Sequence, residues 1–67
     1  MKLLSVSLGN RRGELEIVGH VDVSNKVVMF RVLANGLLVC EGESYDDMRE
    51  IVFEIVALNQ TNKESLN

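Results

Sequence analysis

His20, Cys40 and the carboxylates between Glu41 and Glu54 are the side chains of this sequence that could do chemistry. A lone histidine acts as a general base when a carboxylate orients it and a nucleophile or substrate lies within reach. His20 falls among Glu14, Glu16 and Asp22 on an alternating segment, but no nucleophile accompanies it, so it reads as a solvated imidazole among carboxylates. Cys40 has no CxxC partner and is flanked by Val39 and Glu41. An acid beside a thiol opposes the thiolate, which nearby cations or a helix N-terminus would favour. Cys40 therefore reads as a small apolar residue. Glu41-Gly42-Glu43-Ser44-Tyr45-Asp46 lacks the ligand order and fixed glycine of a calcium loop. The glycines form neither GxGxxG nor a phosphate loop. No catalytic residue, metal site or cofactor is expected, and the chain does not read as an enzyme.

The charges are more informative as a distribution than as a total. The 67 residues carry a net charge of −3. Residues 1–40 sum to +2, whereas residues 41–54 sum to −5. Glu43, Asp46, Glu50 and Glu54 thus form a candidate acidic docking surface for a basic protein groove. Arg11 and Arg12, with Lys26 and Arg31, give the alternative of a nucleic-acid-binding module whose basic hairpin tip enters a groove. The three aromatic residues, Phe30, Tyr45 and Phe53, do not cluster into a base-stacking platform, so this alternative ranks second.

The elements that must position these residues follow from periodicity. Leu4, Val6 and Leu8 alternate with Ser5 and Ser7, as in a half-buried strand. Leu15, Ile17, Gly19, Val21 and Val23 share one face of a second strand, with Glu14, Glu16, Val18, His20 and Asp22 on the other. A third strand, from Lys26 to Ala34, is apolar on both faces, with Val28, Phe30, Val32 and Ala34 opposite Val27, Met29, Arg31 and Leu33. Asn35-Gly36 predicts a tight hairpin into a short fourth strand, Leu37 to Glu41. Ser44 is placed to cap a helix whose stripe is Tyr45, Met48, Val52, Ile55 and Asn59, widened by Ile51 and Leu58. The fold class is α+β, an antiparallel four-stranded meander (β-β-β-β-α) with one C-terminal helix on one face. Gly19 is expected to admit the helix closely. Residues 1–59 form one domain, and 60–67 read as a polar flexible tail.

One helix covers one face of a sheet. Leu3, Val18, Val27, Met29, Leu33, Leu38 and Cys40 are expected on the other face, with Phe53 off the helix stripe, as an interface. A chain of this size buries little core, and one cysteine excludes an internal disulfide, so a homodimer is expected. Met1-Lys2-Leu3-Leu4 resembles the start of a signal peptide, but Ser5, Ser7 and Asn10 interrupt the apolar stretch. No run approaches the length of a membrane span, and cytoplasmic location is expected. Asn59-Gln60-Thr61 fits the glycosylation pattern, which has no consequence without secretion. The whole reading is a small non-enzymatic protein-binding module, dimeric, that regulates or inhibits a larger macromolecule. In size, acidity and lack of chemistry it resembles the small accessory proteins of phages and mobile elements, a resemblance of type that no motif carries.

Overall fold

The computed structural model describes residues 1–9 and 12–65, the last six as backbone alone. Four strands, β1 (Lys2–Ser7), β2 (Glu14–Val21), β3 (Val27–Ala34) and β4 (Leu37–Gly42), precede one helix, α1 (Tyr45–Ser65). The strands form one antiparallel sheet in the order β1-β2-β3-β4, and α1 packs on one face, the meander that the alternation predicts. The helix runs past the expected end near Asn59 to Ser65, because no glycine or proline follows the apolar stripe to stop it.

Under the helix lies a small apolar core: Leu15 and Ile17 from β2, Val32 from β3, and Met48 and Val52 from α1. Leu4, Val6, Leu8, Phe30, Ala34, Cys40, Tyr45, Ile51, Ile55 and Val56 pack around it. Val56 packs against the core on the opposite flank of the stripe from Leu58, which was expected to widen the stripe and is exposed. Tyr45 meets Phe30 edge-on, with centroids 5.7 Å apart, so the helix begins halfway along β3. At its far end Asn59 accepts a hydrogen bond of 2.9 Å from the Arg12 guanidinium at the β1–β2 tip. The two layers are thus offset along the strands. The molecule measures 50 Å along its long axis, beyond the roughly 31 Å of a 21-residue helix or the 26 Å of an eight-residue strand.

Local chemistry sets each turn. Asn35 (φ 53°) and Gly36 (φ 85°) make the predicted left-handed pair between β3 and β4. The Asn35 carboxamide also accepts from the Glu14 amide at 2.9 Å and lies so close to Gly13 that a β-carbon there would collide with it. Between β2 and β3 the anchor is Asp22 rather than Ser24 or Asn25. Its carboxylate accepts from the amides of Ser24 (2.8 Å) and Lys26 (3.1 Å). Ser44 caps α1, its hydroxyl accepting from the Asp47 amide at 3.3 Å.

Three β-bulges correct the assignment of residues to faces. The registers Lys2↔Val18 and Leu4↔Ile17 leave Leu3 as an extra residue. His20↔Met29 followed by Val21↔Val27 does the same for Val28, and Val32↔Cys40 followed by Leu33↔Leu38 does so for Val39. A bulge shifts the period-2 pattern by one residue and sends side chains beyond it to the opposite face. Cys40 accordingly lies on the helix side, its sulfur 3.9 Å from that of Met48. Leu3 and Val27 lie there too: a β-carbon on Gly19 would come within 3.1 Å of both. Gly19 therefore makes room for Leu3 and Val27, and the glycine that admits the helix is Gly42, where a β-carbon would stand 3.0 Å from Met48. Val28 is exposed, as is Val23, which belongs to the turn.

Candidate functional site

The residues singled out for chemistry do not converge. His20 stands exposed opposite Met29 on the face away from the helix. The nearby carboxylates are engaged: Glu14 accepts from the Ser5 hydroxyl at 3.1 Å, Glu16 pairs with Lys2 at 3.2 Å, and Asp22 holds its turn. Cys40 is half-buried against the core. Among the described residues no three His, Cys, Asp or Glu side chains are grouped to hold a metal ion.

The basic residues are scattered. Arg12 is bonded to Asn59, Arg31 donates to Glu41 at 3.1 Å, and Lys26 lies in the β2–β3 turn. Arg11 lies outside the described residues. The hairpin tip is thus docked on the helix end through the one described arginine it carries.

The outer sheet face is mixed in character. With Leu3, Val27 and Cys40 on the helix side, Val18, Met29, Leu33 and Leu38 remain of the expected apolar surface. Val18 is in register with Lys2 and Arg31, and Leu33 lies between Glu16 and Leu38. Two ion pairs, Lys2–Glu16 and Arg31–Glu41, therefore break up what the sequence suggested was a continuous apolar patch.

The helix carries a more coherent surface on its outward side. Asp46, Arg49, Glu50, Phe53, Glu54 and Ala57 follow one another at short helical intervals and line a single shallow strip. Phe53 is 49% exposed, and the Arg49 guanidinium lies 5.3 Å from its ring centroid. That contact holds the ring against the helix surface, and the carboxylates frame it. Phe53 therefore belongs with Asp46, Glu50 and Glu54, across the molecule from Val18, Met29, Leu33 and Leu38. Its place off the core stripe was the sequence signal for this. Arg49 and Ala57 complete the strip and were not singled out from sequence. Glu43 sits in the entry loop just before the cap.

A second apolar surface follows the free edge of the sheet. Leu37, Leu38 and Val39 are consecutive on β4 and exposed, as is Leu58 of α1. Of these, only Leu38 was expected at an interface.

Among the described residues no helix is long and apolar enough to cross a membrane. No family model matches the chain, and no curated protein or solved structure matches it.

Proposed function

We propose that this protein is a non-enzymatic protein-binding module that docks the outward strip of α1 into a basic groove of a larger macromolecule, and so regulates or inhibits it. The observation that carries this reading is the half-exposed Phe53, with Arg49 stacked on it and Asp46, Glu50 and Glu54 around it. An aromatic anchor framed by charge is the composition of a binding hot spot, in which the ring supplies contact area and the charges supply partner choice and encounter rate. A strip on one convex helix recognises a surface and encloses no small molecule. The segment around it, residues 41–54, carries the −5 balance, which favours a cationic partner.

The test is quantitative capture of partners from a lysate of the source cell, with wild type and variants side by side. Asp46→Lys, Glu50→Lys and Glu54→Lys together should fold, because exposed charges contribute little to stability, and should abolish capture of the principal partner. With that partner purified, the triple variant should associate at least about tenfold more slowly, and Phe53→Ala should dissociate faster. Undiminished capture by the triple variant would refute the docking strip.

A further inference from the structure

We infer that Asn35 is a modification site that the fold holds shut: its side-chain amide is lost by cyclisation onto Gly36 when the tip of the β3–β4 hairpin opens, and is kept while that tip stays clasped to Glu14. The inference is independent of the docking strip on α1.

Asn35 is the one asparagine of the sequence that precedes a glycine. Glycine has no side chain to shield its own nitrogen, so the Gly36 nitrogen can approach the carboxamide before it more freely than any other residue's could. The reaction consumes water and nothing else. The Gly36 amide gives up its proton, and its nitrogen attacks Cγ of Asn35 to form a five-membered cyclic imide. The Cγ–Nδ2 bond breaks, and Nδ2 leaves as ammonia with the proton. Water then adds to one of the two imide carbonyls and opens the ring. Opening at one carbonyl leaves aspartate, and opening at the other leaves isoaspartate, whose main chain runs through Cβ and Cγ.

The clasped hairpin opposes the first step. Ring closure needs the Gly36 nitrogen to eclipse Cβ of Asn35 about the Cα–C bond. Asn35 is left-handed, with φ 53°, and in that region ψ lies near about +47°. The Gly36 nitrogen then stands almost opposite Cβ. The carboxamide is also held away from Gly36. Its oxygen accepts from the Glu14 amide at 2.9 Å, and the Asn35 amide donates to the Glu14 carbonyl at 3.0 Å. Gly13 leaves the carboxamide its place, since a β-carbon there would overlap it. Bringing the nitrogen round to Cβ would break the bond to Glu14 and undo the turn that sets Ala34 opposite Leu37. Reaction therefore proceeds from an opened tip, and its rate follows how often the tip opens. Either product adds one negative charge, and isoaspartate also lengthens the main chain of a two-residue turn.

The experiment is ageing of the full chain in neutral buffer and, in parallel, in enough guanidinium chloride to unfold it. Trypsin then releases Val32–Arg49, which contains one asparagine, and mass spectrometry reads its conversion to aspartate and isoaspartate. Asn35 should convert in denaturant and at least about tenfold more slowly in buffer. Two variants loosen the clasp. Gly13→Ala puts a β-carbon where the carboxamide lies. Glu14→Pro removes the amide that the carboxamide accepts from, at the first residue of β2, where proline is tolerated. Each should keep wild-type circular dichroism and raise the rate in buffer at least about tenfold, and Glu14→Pro serves alone if Gly13→Ala does not fold. Equal wild-type rates in buffer and denaturant would overturn the inference. So would an Asn35 that does not convert in denaturant, or a folded Glu14→Pro chain that converts no faster than wild type.

Discussion

β1 and β4 form the two edges of one sheet, and their sequences treat water differently. On β1, Leu4 and Val6 turn under the helix while Ser5 and Ser7 turn out, and Lys2 reaches across to Glu16 at 3.2 Å. The start of β1 is tied down as well: the Met1 ammonium donates to the Gly19 carbonyl at 3.1 Å, and the Met1 carbonyl accepts from the Gly19 amide at 2.7 Å. On β4 there is no such alternation, and three large apolar residues follow in a row. An edge closed by charge and by its own terminus needs nothing further. An edge that keeps large apolar side chains in water invites pairing that the closed edge resists.

The largest effect tests what the two edges share. Ile17 is fully buried in β2, beneath the helix and between both hairpins. Ile17→Ala should cost about 2–5 kcal/mol, read by urea or thermal unfolding. The loss should be similar in wild type and in Leu37→Lys, since distant sites add. A much smaller loss would place the core elsewhere than under α1. Ser44→Ala comes next. Losing the hydroxyl that receives the Asp47 amide should lower stability by about 0.5–2 kcal/mol. It should also loosen the first turn of the helix on the β4 side, where Met48 meets Gly42 and Cys40. Unchanged stability would mean that a neighbouring carboxylate has replaced the cap.

The difference between the edges was only partly legible in the sequence. Element order, the Asn35-Gly36 turn, the Ser44 cap and the β2 core face of Leu15 and Ile17 follow from alternation and turn chemistry, both of which act over a few residues. Bulges are cross-strand events. Nothing in Lys2-Leu3-Leu4 or Leu38-Val39-Cys40 announces an extra residue, because the extra residue is defined by its partner strand. Counting by twos therefore put Leu3, Val27 and Cys40 on the outer face. It also obscured the fact that β4 exposes apolar side chains toward both layers. The offset of the helix was hidden for a similar reason. It depends on Tyr45 meeting Phe30 and Arg12 meeting Asn59, contacts between residues far apart in the chain. Charge was the most readable property, and the −5 segment coincides with the outward strip of α1.

The smallest change in stability should accompany the sharpest test of the comparison. Lys2 is largely exposed, and its pair with Glu16 is worth about 0–1 kcal/mol, so Lys2→Val should scarcely move the unfolding midpoint. Its effect should appear in association instead. With valine in place of the lysine, β1 opens on an unbroken apolar run through Leu3 and Leu4 and comes to resemble β4, with one bulge as its remaining defence. Lys2→Val should therefore associate more than wild type does as concentration rises, through pairing of the β1 edge. Combined with Leu37→Lys, which puts a charge on the other edge, it should still associate, since β1 is the edge that has been opened. If Lys2→Val associates no more than wild type at high concentration, the Leu3 bulge and the Met1–Gly19 bonds guard β1 without the charge. The contrast between the edges then lies in apolar exposure rather than in charge, since β1 and β4 each carry one bulge.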